Sequence, residues 1–348
     1  MQKILIIQTA FIGDVILTIP LIRVISQKFP QAQTHFLTIP ASKNTVETLP
    51  YISKLWIYDK HNQEKGLSAF LQLIKKIRAA NFDMVISPHR SLRTALLAFL
   101  SRIPVRIGFK NSVGWFFYTN RVDYLSKLHE IERNLSLVKP LSIQIKQKEL
   151  PEINITEEDR SGVDQWFEEQ RIIDESKVIA IAPGSVWYTK RWPSEYYREL
   201  AEKLSGSGND IVFIGSKDDQ YLFQEINKPN NPAFHDGMGR FSLRQTGEII
   251  RRSQILISND SAPTHLGVAV RTKVLTVFGS TIPEFGFYPY GDDDHVIQIE
   301  NLYCRPCTDH GRHSCPQKHF RCMMEITPKM VFQKAMDMIS ASSEDRSH

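Results

Sequence analysis

The sequence predicts an α/β protein of two domains, each a doubly wound parallel sheet. Three observations carry that prediction: short apolar runs rich in β-branched residues, a helical pattern after nearly every run, and a break in this alternation near the middle of the 348 residues. Apolar runs of four to six residues without alternation suit strands covered on both faces. Repeated βα units imply parallel sheets, and the length fits two domains at roughly 150 residues each.

In chain order, "KILIIQ" reads as the first strand and passes through "TAFIGD" into a helix over "VILTIPLIRVISQKF". "THFLTI" leads into "ASKNTVETL", "KLWIYD" into "GLSAFLQLIKKIRAA", and "FDMVISP" into "SLRTALLAFLSRI". The polar stretch from 140 to 175 carries two prolines and reads as the connection, so the expected domains are 1–172 and 173–348. A second series then opens. "KVIAIAP" precedes a helix from Ser194, "DIVFIG" a helix from Asp218, "QILIS" a helix from Asp260, and "KVLTVFG" a long irregular region. The last helix, 327–341, starts with Thr327 as N-cap and Pro328 at its first position, and is a candidate to pack back on the N-terminal domain. Only the tail "SASSEDRSH" has the composition of a disordered segment.

Apolar residues make up 42% and charged residues 23%, ordinary values for a globular chain with sizeable cores. The formal charge of +5 fits acidic ligands and does not single out nucleic acid. The first apolar run is too short for a signal peptide, and "TALLAFL" falls far below the ~20 residues of a membrane span. A cytoplasmic location is the expectation. Two such sheets in tandem would face across a cleft at their carboxyl ends, where ligands of these sheets bind. Because no GxGxxG follows either first strand, a dinucleotide oxidoreductase is disfavoured.

Three segments carry candidate chemistry. Gly13 and Asp14 lie between the first strand and its helix, where a turn glycine and a helix N-cap are the plain reading; a carboxylate at that strand end can also accept a proton. In "APGSVWYTKRWPSEYY", Gly184 and Ser185 offer turn amides, and Lys190 and Arg191 offer cations, a set that suits a diphosphate. In "ILISNDSAPTHLGVAV", Asp260 reads as N-cap, Ser261 and Ala262 open the first turn, and His265 follows on a helix of small residues. Small side chains let an anionic ligand approach the positive end of the helix.

Taken together, "GDVILTIPLIRVISQKFPQA", "PGSVWYTKRWPSEYYRELAEKL", "SNDSAPTHLGVAV", "VLTVFGSTIPEFGFYPYG" and "CRPC…SCPQKHFRCM" resemble, in order and spacing, the bacterial heptosyltransferases of lipopolysaccharide core assembly. The resemblance implies the GT-B architecture and metal-independent, inverting transfer of heptose from an ADP-heptose donor to a lipid A–Kdo or heptosyl acceptor. It implies an N-terminal domain for the acceptor and a C-terminal domain for the donor. By the same resemblance Asp14 is the general base, Lys190 contacts the donor phosphates, and Asp260, Ser261, Ala262 and His265 form the donor turn. The ribose contact would fall at Lys217 or Asp218. A transferase for another nucleotide sugar, or a non-catalytic nucleotide- or glycan-binding protein, would share the pattern.

Arg90, Arg93, Arg102, Arg106, Lys110 and Arg121 occupy a stretch without carboxylates, near Trp115, Phe116 and Phe117. They read either as a wet helix face or as a rim for an acidic, lipid-linked acceptor at the cytoplasmic face of the inner membrane. Gly13, Arg90, Arg93 and Lys110 are the acceptor-side candidates. All four cysteines follow the spacing Cys304-x2-Cys307-x7-Cys315-x6-Cys322, with His310, His313 and His319 between them. Disulfides are disfavoured in a cytosolic chain. A structural zinc site and a reduced, loop-stabilising cluster both remain as readings, and neither makes the segment the centre of catalysis.

Overall fold

The computed structural model describes residues 2–60 and 65–345, with side chains described as far as residue 341. The chain divides into two compact units, residues 1–154 and 155–348. The division thus falls earlier than the boundary expected after residue 172. The reason is the helix Glu157–Glu169, which joins the C-terminal unit: Thr156 caps it by accepting from Asp159 N, and Asp159 in turn pairs with Arg244 at 2.6 Å.

The first unit contains β1 (Lys3–Ile7), β2 (Gln33–Thr38), β3 (Lys54–Ile57), β4 (Met84–Ser87), β5 (Val105–Phe109) and β6 (Asn120–Val122). They pair in parallel in the order β3-β2-β1-β4-β5-β6. The second contains β7 (Val178–Ala182), β8 (Asp210–Phe213), β9 (Phe234–Asp236), β10 (Ile255–Asn259), β11 (Val274–Phe278) and β12 (His295–Gln298), in the order β12-β11-β10-β7-β8-β9. Both orders are the doubly wound 3-2-1-4-5-6 pattern, which reverses direction between the first and fourth strands of each unit. At such a switch point the loops after the two central strands part and leave a crevice.

The central strands are buried along their length: Ile4–Ile7 and Val178–Ala182 are inaccessible or nearly so. This is why they read as continuous apolar runs. Strands β5, β6, β9 and β12 escape that pattern. Arg106 interrupts β5, and the other three are short edge strands with polar residues.

The helix expected over residues 15–29 is two helices, Ile12–Ile16 and Ile19–Lys28. Pro20 lies at the start of the second and its ring would clash with the carbonyl of Ile16 in a continuous helix. The final helix, Pro328–Asp345, begins at Thr327 as expected, with Met330 N donating to Thr327 Oγ1 at 3.4 Å. It packs into the core of the C-terminal unit. Val331, Ala335 and Met338 enter the core that holds Tyr197, Leu200 and Leu204, and Lys273 Nζ donates to Met338 O at 2.8 Å. The tail read as disordered is helical to Asp345, and residues 346–348 lie outside the described residues. Among the described residues no helix is long and apolar enough to cross a membrane.

Candidate functional site

In the C-terminal unit the loops after β7 and β10, the two strands flanking the switch point, meet through charge. Lys190 closes the short turn Tyr188–Lys190, and its Nζ lies 2.6 Å from Asp260 Oδ2, with both side chains almost buried. Thr281 Oγ1, from the loop after β11, donates to the same carboxylate oxygen at 2.6 Å. Asp260 therefore does not cap the next helix as expected. Its carboxylate is committed to Lys190 and Thr281, and Ser261 takes the N-cap position of the helix Ala262–Ala269, whose early Pro263 is tolerated there. Ser261 Oγ lies 3.5 Å from Gly184 O, which brings the two expected donor segments into one place.

His265 is buried one turn into that helix. Burial holds its pKa down to about 4 against the pull of Asp260, and Lys190 adds to the depression. It is a neutral imidazole at neutral pH.

Asn259, absent from the sequence-level candidates, fixes this arrangement. Its Oδ1 accepts from Trp192 N and from Tyr197 Oη, each at 3.0 Å, while its Nδ2 donates to Pro183 O at 2.7 Å. One amide thus ties β10 to both ends of the Gly184–Arg191 loop. Arg191 Nε donates to Ser185 O at 2.6 Å and also meets the hydroxyl of Tyr221. Gly184 is needed for space, since a Cβ there would come 2.5 Å from the carboxylate carbon of Asp219.

Lys217 and Asp218 are exposed on the turn Lys217–Asp219, and it is Asp219 that reaches inward, accepting from Ser216 N at 3.0 Å. The local signal for Asp219 was its spacing of three from Ser216, a capping box. The "DDD" at 292–294 is structural at Asp294, which accepts from Val274 N and Gly291 N.

The cysteine-rich loop backs the Lys190 turn. Thr189 N donates to Arg312 O at 3.0 Å, Arg312 N to Thr189 Oγ1 at 2.8 Å, and Trp187 packs on His313 with ring centroids 5.0 Å apart. Gly311, at φ +101°, passes so close to Trp187 that a Cβ would lie 2.8 Å from the tryptophan Cβ. All four cysteines are free thiols. Burial and the neighbouring thiols push Cys307 up and Cys322 up to about 12. Cys304 Sγ lies 3.9 Å from His319 Nε2, and among the described residues no three His, Cys, Asp or Glu side chains converge as metal ligands.

In the N-terminal unit Asp14 occupies the third position of the helix Ile12–Ile16 and accepts from Phe11 N at 3.2 Å. It is a capping partner and not the N-cap, because Phe11 holds that place. Gly13 O accepts from Leu17 N in the same turn. Near Asp14 lies Glu130, whose pKa burial raises to about 7, Arg133 opposing and the charge of Asp14 adding to the rise. Arg133 pairs with Glu130 at 2.9 Å, Tyr124 Oη donates to Glu130 at 3.1 Å, and the Arg90 guanidinium stacks 4.1 Å from the Tyr124 ring centroid. Arg90 is thereby held against Tyr124, close to Glu130.

Beside it, at the carboxyl ends of β1, β3 and β4, a cavity of about 260 Å³ is lined by Thr9, Tyr58, Lys60, His89, Arg93 and Thr94, among others. His89 Nδ1 lies 3.0 Å from Thr9 Oγ1 and 3.2 Å from Thr94 Oγ1, and burial, with Lys60 and Arg90, holds its pKa near 4. Lys60 Nζ donates to Thr9 O at 2.6 Å; burial, then Arg93, lowers its pKa. Among the described residues neither Lys60 nor Arg93 pairs with a carboxylate. Arg93, one of the acceptor-side candidates, lines this cavity. Lys60 and His89 were missed, although each follows a strand end closely. Lys110 pairs with Asp123 at 2.8 Å on the surface and does not line the cavity.

Two parallel sheets with charged groups gathered at their switch points define a class of protein that handles phosphorylated, nucleotide-like ligands. A family model described as glycosyltransferase family 9 (heptosyltransferase) matches residues 70–320, so the chain belongs to that family and is a glycosyltransferase. It is 22% identical over 352 residues to lipopolysaccharide heptosyltransferase 2 of Salmonella typhimurium, covering 97% of this chain and 99% of that one. A family 9 glycosyltransferase structure from Veillonella parvula superposes with a TM-score of 0.87 at 22% identity, over 98% of each chain. An Escherichia coli heptosyltransferase, WaaC, solved with ADP-2-deoxy-2-fluoro heptose, gives 0.73 at 16% identity over 97% of this chain and 99% of that one. The fold is that of the GT-B glycosyltransferases.

Proposed function

We propose that the chain transfers heptose from ADP-heptose to the lipopolysaccharide inner core, with inversion at the anomeric carbon. The observation that carries this reading is the buried Lys190–Asp260 pair at the carboxyl ends of β7 and β10, beside the start of the helix Ala262–Ala269. Lys190 is held in place before any ligand arrives, beside the start of a helix whose positive end favours a diphosphate. As ADP departs, negative charge grows on its terminal phosphate, where a fixed ammonium group lowers the barrier most.

In this reading Asp14 takes the proton of the attacking acceptor hydroxyl. The cavity with Lys60 and Arg93 holds an acidic group of the acceptor, as a Kdo carboxylate or a core phosphate would supply. The scheme draws on no metal. The cysteine loop braces the Lys190 turn, and metal analysis of protein purified without chelators decides between that role and a structural zinc. Since the acceptor is lipid-linked, the enzyme works at the cytoplasmic face of the inner membrane.

The test is ADP release in the presence of ADP-heptose and lipid A–Kdo or heptosylated acceptors, with ADP-glucose, UDP- and GDP-sugars alongside. Turnover restricted to ADP-heptose supports the reading. Turnover with another nucleotide sugar, or binding without turnover, overturns it.

A further inference from the structure

One surface of the N-terminal unit is unlike the rest of the molecule. The 39 residues from Met84 to Val122 hold six cations and no carboxylate, in a chain whose whole formal charge is +5. Within them the segment after β5 turns back along the helix Leu92–Leu100. Val113 N donates to Arg90 O at one end, and Arg106 Nε donates to Phe117 O at 2.7 Å at the other.

The result is a row of rings in which Trp115, Phe116 and Phe99 are exposed and Phe117 is half-buried. Trp115 and Phe116 are 45% and 56% exposed, Phe99 44% and Val113 62%. Successive ring centroids lie 6.0 Å (Trp115–Phe116), 4.4 Å (Phe116–Phe117) and 4.8 Å (Phe117–Phe99) apart. The Arg121 guanidinium sits 4.7 Å from the Trp115 ring and that of Arg106 5.7 Å from Phe99. Exposed apolar patches of this kind mark interaction surfaces, and rings bordered by cations suit the boundary between lipid headgroups and acyl chains.

We propose that this patch docks the enzyme on an anionic bilayer, with Trp115 and Phe116 entering the interface and Arg102 and Arg121 meeting lipid phosphates. It names the surface behind the membrane location read above and rests on that reading. The helix Leu92–Leu100 serves both features: Arg93, Thr94 and Leu97 line the cavity while Leu92 and Phe99 belong to the patch. Docking would therefore set the cavity beside the headgroup layer, within reach of a lipid-anchored sugar.

The test is flotation of the full chain with vesicles of phosphatidylethanolamine and phosphatidylglycerol against phosphatidylcholine alone. Binding is expected with the anionic vesicles, weakening as salt rises, and brominated lipid should quench Trp115 fluorescence. Trp115→Ser/Phe116→Ser and, separately, Arg102→Glu/Arg121→Glu should each lower partitioning about tenfold or more. The first variant should keep wild-type turnover on a short, lipid-free acceptor while losing it on vesicle-borne acceptor.

Equal flotation of wild type and both variants would overturn the proposal. So would loss of turnover on the lipid-free acceptor by a folded Trp115→Ser/Phe116→Ser enzyme, which would assign the rings to the acceptor site. A wild-type dimer that the same variant converts to monomer, without vesicle binding, would assign the patch to a second copy. Failure of every ADP-sugar as donor would overturn the heptosyltransferase reading and leave the flotation result standing.

Discussion

The two units share one strand order and differ in what stands at the point where it reverses. After β7 and β10 a buried cation faces a buried anion, Lys190 on Asp260 at 2.6 Å. After β1 and β4 the corresponding link is neutral, Thr9 to His89 at 3.0 Å, and the nearby cations Lys60 and Arg93 line a cavity without carboxylate partners among the described residues. The same scaffold thus presents a pre-paired charge in one unit and, among the described residues, two cations without carboxylate partners in the other. Under the proposed function the pre-paired lysine serves the leaving phosphate, and the cations of the cavity hold an acidic group of the acceptor.

The largest expected effect falls on Asp14. Asp14→Asn should fold normally and bind ADP normally yet lose roughly 10²–10⁴-fold in kcat, the usual contribution of a general base; single-turnover kinetics near wild type would remove Asp14 from that role. Lys190→Ala tests the paired side. It leaves Asp260 buried without its partner, so it should cost about 3 kcal/mol in a urea melt as well as weaken ADP binding. Adding Asp260→Asn should recover stability but not ADP affinity, and recovery of neither would mean that the pair is not the main interaction there.

On the open side, Lys60→Ala should raise KM for the acidic acceptor about tenfold with little change in melting temperature, because it removes a charged hydrogen-bond donor and no ion pair. A large drop in stability instead would make Lys60 structural.

The units should also differ with pH. His265 and His89 are both held near 4 when folded, below the ordinary histidine value of about 6.5. The unfolded chain therefore binds more protons between those values, and stability present above about 6.5 is lost as pH falls toward 4. Glu130 acts oppositely in the N-terminal unit: with its pKa raised to about 7, it contributes stability below its unfolded value that is lost as pH rises through 7. Melting temperatures between pH 4.5 and 7.5 should show a shallower acid loss in His265→Gln and a steeper one in Glu130→Gln; unchanged slopes would contradict these environments. The smallest effect is expected at Lys217, where an exposed alanine substitution should stay within about 0.5 kcal/mol.

The central strands were legible through their β-branched runs, and Lys190, Asp260 and His265 through the order and spacing of segments that resemble a known family. The short edge strands β6, β9 and β12 were not, since each is stabilised by one neighbouring strand and not by its own composition. Pro20 splits an otherwise continuous apolar pattern, because its ring excludes a helix running through Ile16. Asn259 and Lys60 became candidates only in three dimensions. A buried asparagine at a strand end has no local signature, and a lysine past the third strand becomes significant only when the sheet order brings β1, β3 and β4 to one crevice.

Asn259 holds its three partners as only a carboxamide can, accepting twice with oxygen and donating once with nitrogen. Hydrolysis of that amide to an acid would turn oxygen toward the Pro183 carbonyl and set two lone pairs against each other. Ageing at this one side chain would then unlatch the Gly184–Arg191 loop while both sheets stayed folded, so under the proposed function catalytic lifetime and thermal endurance would run on separate clocks.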